Sequence, residues 1–296
     1  MSQDFHGTVK AAAAGRVGQV KEVTSLSNPV VKDLRALSQK KHRDRSGLFL
    51  AEGQKLVIDA LALGWRIRTL LCSRAAREKK DVAAVAARTV AEGGLVLEAS
   101  EKVVRAIARR DNPQQLMGVF EQRFLALDKL AVAPGETVVA LDRVRDPGNL
   151  GTIIRTADSA GAKAVILIGE TTDPFSLETV RATMGSIFAI PVVQASQEAF
   201  LAWHRQDQVF VIGTHMAGSL DYRTIPYRDK PAVLLMGNEQ AGLSDLLADN
   251  CDCLVRIPQS GRADSLNLAV ATGLMLFEAR REMLRLEEMT RNPLVR

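Results

Sequence analysis

Short apolar runs alternate with helical patterns throughout the second half of the chain, and this alternation constrains the fold more than any other feature. The apolar runs are TVVALD, AVILIG, IPVV, VFVIGTH, AVLLMGN and CLVRIP. Strands this apolar are typical of parallel sheets whose two faces are covered by helices. We therefore predict an α/β domain with a parallel sheet over 136–296, which ends in a long helix over about 265–289.

The first half of the chain alternates in the same way on a smaller scale. Its predicted strands are GLFLAEG, IRTLLCS, LVLEAS and LMGVFEQR, and helical patterns separate them. These elements predict a smaller α/β domain over 21–123. Pro134 and Gly135 punctuate a predicted linker over 124–135. Residues 1–20 lack the apolar region of a signal peptide, and we expect them to form a loose tail.

The composition of the 296 residues excludes several classes of protein. A hydrophobic fraction of 47% is too high for a disordered chain. No apolar run reaches the roughly 18 residues that a membrane span needs. The odd set of Cys72, Cys251 and Cys253 predicts no disulfide framework and fits a reducing cytoplasm. One C-x-C and four histidines provide no recognisable metal site. The net charge of +5 is compatible with a polyanionic partner.

Glycine and polar residues recur where the predicted strands of the second domain end. They lie at 145–148, 213–215, 237–239 and 258–264. Ligands of parallel sheets bind at the carboxyl ends of the strands, so these four loops predict one small-ligand site. The loops lack the G-x-G-x-x-G pattern of a dinucleotide fold, the phosphate loop G-x-x-x-x-G-K-[ST] and the nucleophile elbow G-x-S-x-G.

Local patterns predict how the polar residues of these loops are held. Asn149 stands where the N-cap of a helix running to Gly161 is expected, and Arg155 lies off the buried stripe of that helix. Glu239 ends an apolar strand, where its carboxylate needs a partner such as Arg155. Asp264 or Ser265 is expected to cap the last helix, which is apolar on most sides. A helix of that kind is buried by its own subunit or by a second one.

Three segments together resemble the SpoU family of the SPOUT superfamily, the RNA ribose 2′-O-methyltransferases. They are RVRDPGNLGTIIRTADSAGA, LLMGNEQAGLS and IPQSGRADSLNLAVATGLMLFEARR, in this order. In the first domain, SNPVVKDLRAL, FLAEG and RRDNPQQLMGV resemble a small ribosomal-protein-like RNA-binding domain. The resemblance implies S-adenosylmethionine as cofactor, a trefoil knot in the C-terminal domain and a homodimer with its active site at the subunit interface. From the residue patterns described above, we expect no metal and no membrane partner.

The resemblance also implies roles for individual residues. The polar active-site positions are Asn149, Arg155, Glu239, Ser265 and Asn267, and the cofactor-binding positions are Thr214, Gly237, Ile257 and Leu266. Phosphate contacts from the first domain are expected from Lys32, Arg35, Lys40, Lys41, Arg43, Arg45, Arg109 and Arg110. Gln240 stands where the family usually has a glycine, and we expect a modest change in the shape of that loop.

The chemistry of a guanidinium limits what Arg155 can do. It has no acceptor and a pKa above about 12, so it is a poor base. We expect Arg155 to clamp the target phosphate and stabilise the developing alkoxide, with Glu239 orienting it. The expected substrate is structured RNA, with ribosomal RNA favoured over transfer RNA. Two alternatives are an inactive RNA-binding or ribosome-assembly factor and a small-molecule enzyme on a related sheet.

Overall fold

The computed structural model describes residues 18–262 and 265–284. The chain divides into two compact units, of which unit 1 comprises Met1–Gln122 with Asp173–Ala189, and unit 2 comprises Arg123–Thr172 with Ile190–Arg296. The segment 173–189 falls within the range that the sequence assigned to the second domain, yet it clusters with unit 1. Residues 1–17 of the predicted tail lie outside the described residues, whereas Gln19 and Val20 begin a strand that pairs with Leu95 and Val96, so the tail does not extend to residue 20 as expected.

The elements follow the predicted alternation along the chain, except for two strands at 19–23 and 220–221 that the sequence did not predict. The strands are β1 (Gln19–Val23), β2 (Leu48–Glu52), β3 (Thr69–Ser73), β4 (Leu95–Ala99), β5 (Leu116–Glu121), β6 (Thr137–Asp142), β7 (Val165–Ile168), β8 (Val192–Ala195), β9 (Phe210–Thr214), β10 (Leu220–Asp221), β11 (Ala232–Met236) and β12 (Cys253–Arg256). The α-helices are α1 (Pro29–Ala36), α2 (Lys40–Ser46), α3 (Gln54–Ala62), α4 (Arg74–Arg77), α5 (Lys80–Ala91), α6 (Glu101–Ala108), α7 (Pro147–Ser159), α8 (Leu177–Ala182), α9 (Gln197–Asp207), α10 (Asp245–Ala248) and α11 (Leu268–Ala279).

Unit 1 is built on a mixed five-stranded sheet with the strand order β1-β4-β3-β5-β2. β1, β4 and β3 are parallel, whereas β5 runs antiparallel to both β3 and β2. The strands β2 and β3 are buried along their whole length. Helix α6 buries Val103, Val104 and Ile107 against this core and leaves its charged side in solvent.

Aromatic packing explains why the segment 173–189 belongs to unit 1. The Phe175 ring centroid lies 4.7 Å from that of Phe49, and the Phe188 centroid lies 5.1 Å from that of Trp65. The Trp65 indole Nε1 donates to the carbonyl of Phe188 at 2.9 Å. Local periodicity cannot reveal this packing, because the aromatic partners lie more than 100 residues away in the sequence.

Unit 2 contains a seven-stranded sheet with the order β10-β12-β9-β11-β6-β7-β8. All six pairs of neighbouring strands are parallel, which confirms the predicted fold class. Its core includes Val138, Ala140 and Ile166, which have no exposed surface, together with Phe200 and Leu235. Helices α7 and α11 pack against each other. Among the described residues, no helix is both long enough and apolar enough to cross a membrane.

The ends of two helices differ from the sequence-based expectation. Asp146 caps α7, because its side chain accepts the N–H of Asn149, and Asn149 is therefore the third residue inside the helix. α11 begins at Leu268 with Asn267 as its cap, and it ends at Ala279 rather than near 289. Ser265 precedes the helix without capping it, and Asp264 and residues 285–289 lie outside the described residues.

Candidate active site

Three side chains join the loops that carry the predicted active site in unit 2. The amide Nδ2 of Asn149 donates to Oε1 of Glu239 at 3.3 Å. Nδ2 of Asn267 donates in turn to Oδ1 of Asn149 at 2.9 Å. These residues lie on α7, after β11 and before α11. The structure therefore brings three of the five predicted polar positions into one hydrogen-bonded chain.

The Glu239 carboxylate binds the backbone at the start of α7 as well as the side-chain amide of Asn149. Its Oε2 accepts the N–H of Arg145 and its Oε1 accepts the N–H of Asp146, both at 3.3 Å. A carboxylate that accepts backbone N–H groups near a helix N-terminus is stabilised by the hydrogen bonds and by the helix dipole. Since these bonds satisfy the half-buried carboxylate, Glu239 does not need the arginine partner that the sequence analysis gave it.

Asn267 is shared between a helix cap and the site. Its Oδ1 accepts the N–H of Ala269 at 2.9 Å and that of Val270 at 3.3 Å, which satisfies two unpaired donors of α11. Because the oxygen is used by the cap, the amide nitrogen remains to donate to Asn149. The orientation of this side chain is thus fixed at both of its polar atoms.

Arg155 lies on the same helix as Asn149, six residues further on, which corresponds to about 9 Å along the axis. Its side chain is exposed and makes no hydrogen bond or ion pair with any residue that the structure describes. The expected pairing with Glu239 is therefore wrong within one chain, and the guanidinium is free to meet another molecule. Ser265 is also exposed.

The predicted cofactor positions lie where three neighbouring strands end. Thr214 ends β9, Gly237 follows β11 and Ile257 follows β12, and these strands are adjacent in the order β12-β9-β11. Gly237 is buried, and a Cβ there would lie 2.4 Å from both the carbonyl carbon of Gly242 and the N of Leu243. Only glycine fits this turn without a shift of the backbone.

Backbone polar groups at this edge of the sheet lack partners. Gly237, Ile257 and Leu266 make no backbone hydrogen bond to any described residue. Gly237 is buried, whereas Ile257 and Leu266 are half-buried. A buried N–H or C=O without a partner costs free energy, so the groups of Gly237 in particular are expected to bind water or a ligand. Unpaired backbone groups of this kind fit a ligand with several donors and acceptors, such as the adenosine portion of S-adenosylmethionine.

The turn after β11 is held by its own asparagine. Asn238 and Gly242 exchange two backbone hydrogen bonds at 2.9 and 3.0 Å. The Asn238 Oδ1 also accepts the N–H groups of Gln240 and Ala241. Gly242 adopts a φ of +67°, whereas Gln240 is not among the described residues with positive φ. Gln240 therefore introduces no left-handed strain into the loop.

A buried carboxylate that the sequence analysis missed supports the same turn. Asp142 ends β6 with no exposed surface, accepts two hydrogen bonds from the Arg143 guanidinium at 2.9 Å and accepts the N–H of Ser244 at 2.8 Å. Hydrogen bonding to Asp142 raises the pKa of Arg143. Arg143 itself has a φ of +51°, and its carbonyl accepts from Nδ2 of Asn238 at 2.8 Å. An acid directly after an apolar strand is the signal that could have identified it.

The basic residues predicted to contact RNA all lie in unit 1 but differ in exposure. Arg43 is 3% exposed, because its guanidinium pairs with Asp173 and donates to the carbonyl of Leu37 at 2.8 Å. It is therefore a structural residue and has no surface to offer a phosphate, contrary to the expectation. The others are exposed, namely Lys32, Arg35, Lys40, Lys41, Arg45, Arg109 and Arg110.

The cysteines are free, and burial raises the pKa of the Cys251 thiol to about 12. Within the described residues, no group of three or more His, Cys, Asp or Glu side chains could hold a metal ion.

Comparison with known proteins finds a family for each of the two domains. The SpoU rRNA Methylase family matches residues 136–277, and the MRM3-like substrate binding domain matches residues 28–118. The 23S rRNA (guanosine(2553)-2′-O)-methyltransferase RlmP of Bacillus subtilis is 35% identical over 88% of this chain and 100% of its own length. The 23S rRNA (uridine(2479)-2′-O)-methyltransferase of Streptomyces viridochromogenes is 33% identical over 83% of this chain and 87% of its own length.

A solved structure shows the same likeness in three dimensions. The AdoMet-bound rRNA methyltransferase from Sinorhizobium meliloti is 66% identical, covers 90% of this chain and 100% of its own, and superposes with a TM-score of 0.86. The match of both domains, the shared fold and the joined loops lead to one conclusion. This chain belongs to the SpoU rRNA methylase family and is a methyltransferase of that class.

Proposed function

We propose that the protein transfers a methyl group from S-adenosylmethionine to a ribose 2′-hydroxyl of ribosomal RNA. The observation that carries the proposal is the chain of hydrogen bonds from Glu239 through Asn149 to Asn267, which lies in the same set of loops as the unpaired backbone of Gly237. Two relatives named above act on guanosine and on uridine of 23S rRNA. These relatives support ribosomal RNA as the substrate and the ribose 2′-oxygen as the methyl acceptor. The nucleoside that is methylated differs between them.

The residues present fit the cofactor. Unpaired backbone groups of Gly237, Ile257 and Leu266 would hold its adenosine portion, and Thr214 at the end of β9 would line the same edge. The cofactor supplies an electrophilic methyl group on a sulfonium, so the protein mainly has to align and activate the ribose oxygen. The turn from Asn238 to Gly242, braced by Asp142 through Ser244, would keep these backbone groups in position before binding.

The polar side chains divide the remaining tasks. Arg155 would clamp the target phosphate and stabilise the alkoxide as it develops, because its exposed guanidinium has no partner among the described residues. Asn149, Glu239 and Asn267 would fix the loops and contact the ribose, and Ser265 would join them. Glu239 would hold the start of α7 in place and would not orient Arg155.

The protein is proposed to act as a homodimer. Helix α11 exposes Val270 (53%), Leu274 (41%) and Phe277 (49%), and these positions follow the spacing i, i+4, i+7 on one face. An apolar stripe of this kind on a helix that packs against α7 would place a second subunit next to the loops of the site. Arg155 would then face the cofactor of the partner subunit. The trefoil knot and the cytoplasmic location remain predictions.

Methyl transfer can be tested directly. The protein is incubated with radiolabelled S-adenosylmethionine and unmethylated ribosomal RNA or transfer RNA, and the RNA is digested to nucleosides. We expect a labelled 2′-O-methylnucleoside from ribosomal RNA, which disappears in the Arg155→Ala variant. Label in transfer RNA alone would support the alternative substrate. Cofactor binding without transfer to either RNA would overturn the proposal in favour of an inactive assembly factor, and cofactor use independent of RNA would favour a small-molecule enzyme.

A further inference from the structure

A basic groove in unit 1 is lined by one face of α6 and the loop that follows it. The groove has a volume of about 750 Å³, and four of its lining residues are the cations Lys102, Arg105, Arg109 and Arg110. Only two acids, Glu101 and Asp111, line it with them. Lys102 and Arg105 have the spacing i, i+3, so they lie on one face of the helix, opposite the side that Val103, Val104 and Ile107 bury. Arg109 and Arg110 follow directly after the end of the helix.

The cations of the groove are available to a ligand. Lys102, Arg109 and Arg110 are exposed and make no side-chain hydrogen bond or ion pair with the residues that the structure describes. Arg105 lies 3.7 Å from Glu101, but both side chains are mostly exposed, and such a pair is weak. Four cations in one concave surface repel one another, and a polyanion would relieve that repulsion.

The loop at the end of α6 is held in place from both sides. Arg109 ends the helix with a φ of +55°, a conformation that residues other than glycine and asparagine rarely adopt. The carbonyl of Ala108 accepts from the Arg181 guanidinium at 2.6 Å. At the other end, the N–H of Gln114 donates to Oε1 of the buried Glu52 at 2.8 Å.

One ion pair connects these two anchors. The Nε of Arg181 donates to Oε2 of Glu52 at 2.6 Å, so a single arginine and a single carboxylate fix both ends of the segment 109–113. A loop fixed before binding loses less conformational entropy when a ligand arrives. Strain at Arg109 combined with anchors on both sides is typical of a loop shaped for binding.

We propose that this groove binds the sugar–phosphate backbone of the substrate RNA, and that Arg181 and Glu52 are positioning residues for its basic loop. The groove lies within the region that matches a substrate-binding domain, and the inference rests on the proposed function. No aromatic side chain is among the lining residues, so the groove offers phosphate contacts without base stacking. Lys102 and Arg105 join Arg109 and Arg110 as RNA contacts, although the sequence analysis did not select them.

The test compares two double variants that remove the same charge. Lys102→Ala with Arg105→Ala empties part of the groove, whereas Lys79→Ala with Lys80→Ala removes two exposed lysines elsewhere on unit 1. RNA binding is measured by filter binding between 50 and 300 mM salt. We expect the groove variant to bind RNA about 10-fold more weakly than wild type. The slope of log Kd against log salt concentration is expected to fall by about 1.5, because two phosphate contacts are lost. Equal behaviour of the two variants would overturn the inference.

Cofactor binding and methylation separate this inference from the proposed function. The Kd for S-adenosylmethionine and kcat at saturating RNA are expected to stay unchanged in the groove variant, with the effect confined to KM for RNA. If the wild-type protein transfers no methyl group to RNA, the proposed function fails. The salt dependence of RNA binding then still tests whether the groove binds RNA. If the wild-type protein methylates RNA and the groove variant binds like its control, only the groove fails.

The positioning residues have their own readout. Arg181→Met keeps every cation of the groove but releases the carbonyl of Ala108 and the carboxylate of Glu52. KM for RNA is expected to rise about five-fold with the salt slope unchanged, because the number of phosphate contacts is preserved. A fall in kcat, in cofactor affinity and in the melting temperature would indicate that Arg181 stabilises the whole domain. That result would overturn its assignment as a positioning residue.

Discussion

The side-chain amide of Asn267 donates to that of Asn149 at 2.9 Å across 118 residues of sequence. This bond joins the cap of α11 to the first turns of α7, and Glu239 extends it to the loop after β11. Three motifs that are far apart in the chain thereby share one hydrogen-bonded network. Asn149 and Glu239 are half-buried and Asn267 is exposed, so the network acts mainly by orienting its side chains relative to one another.

The Asn267 side chain allows its two roles to be separated. Asn267→Ala removes the cap and the bond to Asn149, and we expect unfolding to become easier by about 1 kcal/mol, the usual worth of a cap. Asn267→Asp keeps the capping oxygens but has no amide hydrogen to donate, so stability is expected to be preserved while kcat falls at least 10-fold. Urea denaturation and single-turnover methylation measure the two effects. Full activity in the aspartate variant would contradict a role for the Asn149 bond.

Arg155→Ala is expected to lower kcat by about 100-fold or more, equivalent to about 3 kcal/mol of lost alkoxide stabilisation. The Kd for S-adenosylmethionine should stay within two-fold of wild type, because cofactor binding is assigned to backbone groups elsewhere. Isothermal titration and methylation kinetics provide both numbers. Arg155→Lys is the matched variant, since it keeps the charge without the planar fork and should recover only part of the rate. Transfer at the wild-type rate by Arg155→Ala would refute the assignment.

Gly237→Ala tests the turn that is assigned to the cofactor. A Cβ at 2.4 Å from two backbone atoms forces the turn to open, which is expected to cost about 1–3 kcal/mol of stability and to weaken cofactor binding at least 10-fold. Gly261→Ala is the stability control, because nothing lies within 4 Å of its Cβ and its φ is ordinary. Thermal melts with and without S-adenosylmethionine distinguish the two variants. Unchanged cofactor affinity in Gly237→Ala would exclude the turn from the binding site.

Phe277→Asp tests the proposed dimer. The Phe277 side chain is 49% exposed on α11, and its burial in an interface would contribute up to about 2 kcal/mol per subunit. Replacing it with a carboxylate is expected to give a monomer in sedimentation equilibrium and to remove methyl transfer. Leu246→Asp is the control, because Leu246 is similarly exposed at 44% but lies on α10. A monomeric wild-type protein with full activity would disprove the shared site.

The thiols of the buried Cys72 and the half-buried Cys251 predict a pH dependence of stability. Burial, followed by the nearby Glu98 carboxylate, raises the pKa of Cys72 to about 11, and burial raises that of Cys251 to about 12. Because both values lie above the ordinary 9.0, the unfolded chain ionises first as the pH rises. The contribution of these thiols is complete below pH 9 and is lost progressively between about pH 9 and 12.

Urea denaturation at pH 8, 9.5 and 10.5 measures this loss, and Cys251→Ala should lose less stability over the range than the wild type. The folded protein should also react slowly with iodoacetamide at pH 8. Alkylation of Cys72 at the rate of a free thiol would contradict the burial on which the prediction depends.

The amino-acid sequence by itself determined most of the parallel sheet of unit 2, because six of its seven strands coincide with apolar runs that only a doubly covered sheet can bury. The short strand β10 has no such run, and the sequence did not predict it. The sequence also determined the family, through three motifs whose residues lie in order along the chain. These properties depend on local composition and on the spacing of residues along the chain, and both can be read from the amino-acid sequence.

Only the tertiary structure decided which polar groups are partners. In the structure, Asp146 caps α7, and the Glu239 carboxylate accepts backbone N–H groups. Arg155 has no side-chain partner among the described residues. The tertiary structure also buried Arg43 against Asp173 and took the segment 173–189 into unit 1 through Phe175 and Phe188. A buried charge or amide takes whichever complementary group the fold brings within about 3 Å, and sequence distance carries no information about that choice.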